Sequence, residues 1–103
     1  ILMDDNAPSH RAAVTDAYLE GEGIERMDWP ARSLDLNPIE NLWAHLKIQV
    51  SRRVQRNTTV ADLEQIIVRQ WNRTDQNYIR NLIHSMRHRC IATIRAEGGP
   101  TKY

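Results

Sequence analysis

Three acidic residues and one histidine stand where they could bind a metal ion. Asp4 and Asp5 follow the short apolar run that begins the chain, and Glu40 lies in the stretch LDLNPIENLW, residues 34–43. Carboxylates that converge from separate elements can hold a hard divalent cation such as Mg²⁺. His10 could add a ligand or an acid–base group. The residue types therefore admit metal-dependent chemistry.

Each of these residues also has a purely structural interpretation. An aspartate next to Asn6-Ala7-Pro8 can simply accept hydrogen bonds from its own turn. Side chains alternate across a strand, so only one of Asp4 and Asp5 can face a shared site. A carboxylate in the first helical turn, such as that of Glu40, is stabilised by the free amides and the helix dipole by about 0.3 to 1 kcal/mol. Taken one at a time, these residues leave both interpretations open.

The first quarter of the chain has the pattern of a strand, a helix and a second strand. Ile1 to Asp4 and Ile24 to Met27 read as short strands, and Ser9 or His10 opens a helix that runs to about Glu20. Parallel strands need a crossover of this kind between them. The pattern predicts an α/β fold with a parallel βαβ unit.

The clearest helix start lies just before Glu40. Asn37 is a suitable N-cap, Pro38 fits the first helical position, and Glu40 stands three residues after the cap, where its carboxylate can reach back to the cap's amide. Apolar residues then recur every three or four positions. We expect an amphipathic helix to about Val54.

Two more helices follow a polar break. Thr59 and Asp62 form a second capping box, and a last helix begins near Gln76 and ends at Gly98-Gly99-Pro100. The apolar stripes of these helices contain two tryptophans that we expect in the core, Trp43 and Trp71.

Composition limits the classes of protein that fit. A chain of 103 residues that is 41% hydrophobic can bury one modest core, so we expect residues 1–103 to form a single domain. Cys90 has no partner for an internal disulfide, and no apolar run approaches the roughly 20 residues of a membrane span. The chain begins within a strand-like run, which suggests part of a longer intracellular protein.

The charges are unevenly distributed along the chain. Residues 1–40 contain three Arg and nine acidic residues, whereas residues 41–103 contain eleven Arg or Lys and four acidic residues. This distribution suits a metal-dependent enzyme that acts on nucleic acid, because carboxylates of the acidic segment can hold cations and the basic segment can neutralise phosphates. The alternative is that these charges are solvated helix faces. The candidate phosphate contacts are Arg32, Arg52, Arg53, Arg87 and Arg89.

Four groups of residues occur together in one order. They are DNAPSH at 5–10, DWPARS at 28–33, DLNPIENLW at 35–43, and Ser85-Met86 followed by GGPTKY at 98–103. Together they resemble the C-terminal half of transposases of the Tc/mariner superfamily, most closely the Tc-like branch. In that branch 34 residues separate the second and third catalytic acids, and 34 residues lie between Asp5 and Glu40. Leu34 departs from the family, which usually has proline there.

The resemblance implies a fold and an active site. The fold would be an α/β fragment of an RNase H-like catalytic domain, with short parallel strands, about four helices, and the first strands of the sheet missing. Asp5 and Glu40 would be catalytic ligands of two Mg²⁺ or Mn²⁺ ions, supported by Asn6, His10 and Asn37. The first acidic residue of the triad lies outside this chain.

The resemblance also implies an activity and partners. The parent would be a DNA transposase, an endonuclease and strand transferase that cuts and joins transposon ends and binds terminal inverted repeats and target DNA. It would self-associate and act in the nucleus of a eukaryotic host, or otherwise inside the cell. We expect the 103-residue chain alone to be inert and to self-associate. The alternative is a domesticated or decayed module that binds DNA or protein without catalysis.

Overall fold

The structure is a computed structural model that describes residues 1–30 and 33–103. Within these ranges it is built mainly of helices, joined by turns and two short 3-10 segments, Pro8–Arg11 and Leu34–Leu36. The five α-helices of the described residues are α1 (Ala13–Gly21), α2 (Ile39–Ser51), α3 (Val60–Asn72), α4 (Gln76–His84) and α5 (Met86–Arg95).

The two segments expected to be strands meet at one point. Leu2 and Arg26 form an isolated parallel bridge, in which the Leu2 N–H donates to the Glu25 carbonyl at 2.7 Å and the Met27 N–H donates to the Leu2 carbonyl at 2.8 Å. No sheet is present in the described ranges. The prediction of an α/β, RNase H-like sheet is therefore wrong for this structure, although the parallel direction of the two segments is right.

The backbone after Asp4 explains why the pairing stops. The Asp4 carboxylate accepts the Asn6 N–H at 2.9 Å, and Asn6 adopts a left-handed φ of 61°, a conformation that asparagine tolerates better than most residues. The chain turns there and leaves the extended conformation. Two short segments paired only with each other are marginal in water.

Two helix boundaries also differ from the prediction. The helix expected from Ser9 or His10 is a 3-10 turn followed by α1, because Ala12 between them is extended with φ −67° and ψ 144°. The long last helix is divided into α4 and α5 at Ser85. The Ser85 hydroxyl donates to the Leu82 carbonyl at 2.6 Å, so this side chain competes for helical backbone acceptors.

The apolar core is small. Among the described residues, the buried hydrophobic side chains are Leu19, Leu42 and Leu46. Trp43 and Trp71 stack on each other with ring centroids 5.4 Å apart, but they remain 46% and 45% exposed. The expectation that both tryptophans lie in the core is wrong, since each ring covers only one face of the other.

The molecule is more open than a compact domain of its size. Its accessible surface is 8194 Å², whereas about 6,000 Å² is typical for 12 kDa. Its radius of gyration is 16.5 Å, against about 13 Å for a compact chain of this length. Much apolar surface is therefore left without a covering element. None of the helices in the described ranges is long and apolar enough to cross a membrane.

Candidate active site

A pocket of about 390 Å³ lies where the start of the chain meets the first turn of α2. Asp5 and Glu40 both line it, and so do Asp4, His10 and Asn37. The apolar wall comes from Leu2, Met3, Ile39 and Trp43. The structure thus brings the two predicted metal ligands to one cavity although 34 residues separate them in the sequence.

Asp5 is oriented by its own turn. Its Oδ1 accepts the Ala7 N–H at 2.9 Å and lies 2.7 Å from His10 Nδ1. Because an ionised carboxylate only accepts hydrogen bonds, Nδ1 carries the proton in this pair. The Ala7 amide and then the His10 side chain hold the pKa of Asp5 below its ordinary value. Asp5 is therefore ionised and partly exposed, with Oδ2 outside these contacts.

Asp4 has a different role from Asp5. Its side chain is buried and forms ion pairs with Arg11 at 3.1 Å and with Arg26 at 2.8 Å. Arg26 also pairs with Asp16 at 2.5 Å and donates to the His10 carbonyl at 2.7 Å. These contacts fasten the turn that carries Asp5 to α1, so Asp4 is a structural anchor. No local signal in the sequence marks Arg11 or Arg26, since the acidic residues that they pair with lie seven or more positions away.

Asn6 links the turn to the loop before α2. Its side-chain Nδ2 donates to the Trp29 carbonyl at 2.7 Å, and its Oδ1 accepts a hydrogen bond from Arg11. Asn6 lies next to Asp5 and holds the backbone on which that carboxylate is mounted. A second cavity, of about 270 Å³, reaches Asp5 from this side and is also lined by Trp29 and Leu34.

Asn37 caps α2 without help from Glu40. Asn37 is extended and buried, and its Oδ1 accepts the Ile39 N–H at 3.3 Å. Pro38 is already helical with φ −66° and ψ −19°. The Asn37 N–H donates to the Leu34 carbonyl at 2.9 Å, so the reciprocal bond of a capping box does not form. Within residues 1–30 and 33–103, the Glu40 carboxylate accepts no hydrogen bond and is left to face the pocket.

The predicted phosphate contacts are dispersed. Arg52 and Arg53 are exposed just after α2, and Arg53 donates to the Gln49 carbonyl at 2.7 Å. Arg87 is exposed on α5, whereas Arg89 is buried in the interior. Arg32 lies outside the described residues.

Two of the three carboxylates that line the pocket, those of Asp5 and Glu40, are not paired with arginine and could bind a cation. In the described ranges, no group of three His, Cys, Asp or Glu side chains is close enough to hold a metal ion. A complete divalent-metal site takes six or more oxygen ligands. The geometry therefore offers part of a site.

A family model described as DDE superfamily endonuclease matches residues 1–67. The chain belongs to this family. The matched range contains all three acidic residues of the pocket, the turn that orients Asp5 and the whole of α2. In this DDE superfamily chain, α4 and α5 lie beyond the matched range.

Similar proteins support the same assignment. The chain is 42% identical over 102 residues to the transposable element Tc3 transposase of Caenorhabditis elegans. This match covers 99% of this chain and 31% of that protein. It is 33% identical over 103 residues to the Tc1 transposase of the same species and 32% identical over 105 residues to the Tcb2 transposase of Caenorhabditis briggsae. These two matches cover 100% of this chain and 37% of each relative. The resemblance to Tc-like transposases is confirmed, and the DDE superfamily chain spans about a third of the length of these curated relatives.

Proposed function

We propose that this chain contributes two acidic residues to the active site of a DNA transposase that cuts and joins transposon ends. The observation that carries the proposal is the shared pocket of Asp5 and Glu40. The Asp4 carboxylate, by contrast, already forms ion pairs with Arg11 and Arg26. Oδ2 of Asp5 lies outside the hydrogen bonds of the turn, and neither carboxylate oxygen of Glu40 accepts a hydrogen bond from the described residues. Such oxygens are available to bind a metal ion.

The donor set fits Mg²⁺ or Mn²⁺. Both cations prefer oxygen ligands, and Asp5 and Glu40 would hold them together with a third carboxylate from outside this chain. Two bound ions would activate the attacking oxygen and stabilise the leaving oxygen in phosphodiester cleavage and strand transfer. With two of the three carboxylates, the 103-residue chain alone is inert.

The surrounding residues prepare the two carboxylates. His10 and the Ala7 amide fix one oxygen of Asp5 and keep it ionised. Asn37 fixes the first turn of α2 and so the position of Glu40. Asn6 holds the loop beside Asp5. Preorganised side chains lose little reorganisation energy when a substrate binds.

The partners are transposon terminal repeats and target DNA. The exposed arginines Arg52, Arg53 and Arg87 are available to phosphates, and neutralising phosphates makes binding salt-dependent. Arg89 is excluded from this role by its burial. The complete transposase self-associates, and it acts in the nucleus if its host is a eukaryote, as its nematode relatives suggest.

The test compares Glu40→Gln with Glu64→Gln in the full-length transposase. Glu64→Gln is the matched control, because it makes the same chemical change at an exposed position of α3. We expect Glu40→Gln to lower Mn²⁺-dependent cleavage by at least about 10²-fold with DNA affinity unchanged, and Glu64→Gln to cleave like the wild type. Equal cleavage by both variants would refute the assignment of Glu40. Absence of cleavage in the wild type, with DNA binding intact, would favour a decayed DNA-binding module.

A further inference from the structure

Arg89 on α5 is buried by the start of α2 and the end of the chain. Only 2% of the surface of Arg89 is exposed to solvent. The guanidinium donates from Nε to Ser85 Oγ at 2.8 Å, from Nη1 to the Asp35 carbonyl at 2.8 Å, and from Nη2 to Asn41 Oδ1 at 2.7 Å. All three nitrogens of the planar group are therefore used at once, which a lysine could not reproduce.

In the part of the chain that the structure describes, this charge is buried without a counterion. None of the ion pairs within the described ranges includes Arg89. Its remaining stabilisation comes from the face of the Tyr103 ring, whose centroid lies 4.7 Å from Cζ, a favourable cation–π geometry. Because a buried charge costs free energy unless it is fully hydrogen-bonded, a simple packing role would be served better by an apolar side chain.

Two of the three acceptors of Arg89 lie on either side of Glu40 in the sequence. Asp35 belongs to the 3-10 segment before α2, and Asn41 is the residue directly after Glu40 in the first turn of that helix. Adjacent residues of an α-helix point about 100° apart. With the Asn41 side chain bound to α5, the Glu40 side chain is directed to another side of α2, where it lines the pocket with Asp5.

We propose that Arg89 is a positioning residue that fixes the orientation of the Glu40 carboxylate. The proposal rests on the proposed function of Glu40 as a metal ligand. The tip of a helical side chain lies about 5 to 6 Å from the helix axis, so a rotation of about 20° in the first turn moves it by about 2 Å. A displacement of 1 Å can cost about 10²-fold in rate. The hydrogen bonds to the Asp35 carbonyl and to Asn41 prevent that rotation.

The experiment compares Arg89→Met with Arg95→Met in the full-length transposase. Methionine removes the donors and the charge together, so no unpaired charge is left in the interior. Arg95 is an exposed residue at the end of the same helix. The readouts are the dependence of cleavage on Mn²⁺ concentration, the Kd for DNA, and amide hydrogen exchange in residues 39–43 compared with 60–72.

We expect Arg89→Met to lower kcat by about 10- to 100-fold, to raise the Mn²⁺ concentration for half-maximal cleavage, and to leave the Kd for DNA within about twofold. Exchange should accelerate in residues 39–43 and stay unchanged in 60–72. Arg95→Met should match the wild type in every readout. A general loss of folded protein would not shift the Mn²⁺ dependence.

The proposal would be overturned if Arg89→Met cleaves DNA as Arg95→Met does and if its amide hydrogen exchange in residues 39–43 equals that of Arg95→Met. If Arg89→Met does not fold, Arg89→Lys replaces it, since lysine keeps the charge but offers one nitrogen in place of three. Arg89→Lys with a raised Mn²⁺ requirement supports the proposal, and wild-type Mn²⁺ dependence refutes it. A wild-type protein without cleavage would refute the proposed function instead, and the exchange of residues 39–43 would still report whether Arg89 holds this turn.

Discussion

Leu46 is the side chain whose loss should most weaken the packing of α2. It is 6% exposed and is one of three buried hydrophobic side chains among the described residues. Leu46→Ala removes buried methyl and methylene groups and leaves a cavity, which in protein cores costs about 2 to 5 kcal/mol. Ile48 on the same helix is 51% exposed. Its replacement by Ala removes a side chain that is already half solvated, at a cost of about 1 kcal/mol.

The difference between these two substitutions should be large relative to the total stability. Globular domains are stable by about 5 to 15 kcal/mol, and this chain buries less surface than a compact domain of its mass. With so few buried side chains, no other part of the core can compensate for Leu46. We expect Leu46→Ala to lower the free energy of unfolding by about 2 to 5 kcal/mol, a large part of the total, whereas Ile48→Ala lowers it by about 1 kcal/mol.

The assay is urea unfolding of the 103-residue chain, followed by circular dichroism at 222 nm. The unfolding midpoints and slopes of the wild type and the two variants give the changes in the free energy of unfolding. A Leu46→Ala midpoint as high as that of Ile48→Ala would refute the reasoning. That result would mean that burial in this structure does not identify the core that stabilises α2.

Two further predictions concern the capping box and the exposed apolar surface. The hydroxyl and then the backbone N–H of Thr59 hold the pKa of Asp62 below its ordinary value of 3.8. Asp62 therefore stabilises α3 above its unfolded pKa, and this contribution is lost as the pH falls through the lower folded pKa. Urea unfolding between pH 6 and pH 2 should show a smaller acid loss of stability in Asp62→Asn than in the wild type, and identical pH profiles would contradict the assignment. The chain also exposes about 2,200 Å² more surface than a compact domain of its mass, more than the roughly 1,600 Å² buried in a standard interface. Sedimentation velocity of the 103-residue chain should show association that increases with concentration, and a monomer at every concentration would contradict it.

Local signals in the sequence predicted the helical part of the chain well. The capping box of Thr59 and Asp62 forms with both of its reciprocal hydrogen bonds, because all of its groups lie within three residues. Pro38 adopts a helical conformation at the start of α2, and Asn37 caps that helix. These outcomes depend on side chains and amides of the same turn, which the sequence places together whatever the rest of the fold does.

Predictions that needed distant partners were less successful. A sheet requires neighbouring strands, and the segments near Leu2 and Arg26 have only one bridge between them. Trp43 and Trp71 lie on apolar stripes, but a stripe is buried only if another element covers it, and these rings mainly cover each other. Periodicity shows which face is apolar and does not show what packs against it.

The sequence by itself determined the starts of α2, α3 and α4, the family and the spacing of Asp5 and Glu40, since motifs and caps depend on neighbouring residues. The tertiary structure decided which of the acidic residues is buried in ion pairs and which remain available in the pocket. Asp4 is held by two arginines, whereas Asp5 and Glu40 line one pocket. It also placed Arg89 in the interior, against the carbonyl of Asp35, which lies 54 positions earlier in the sequence. A charge that looks solvated in the sequence becomes a structural contact when folding brings enough acceptors around it.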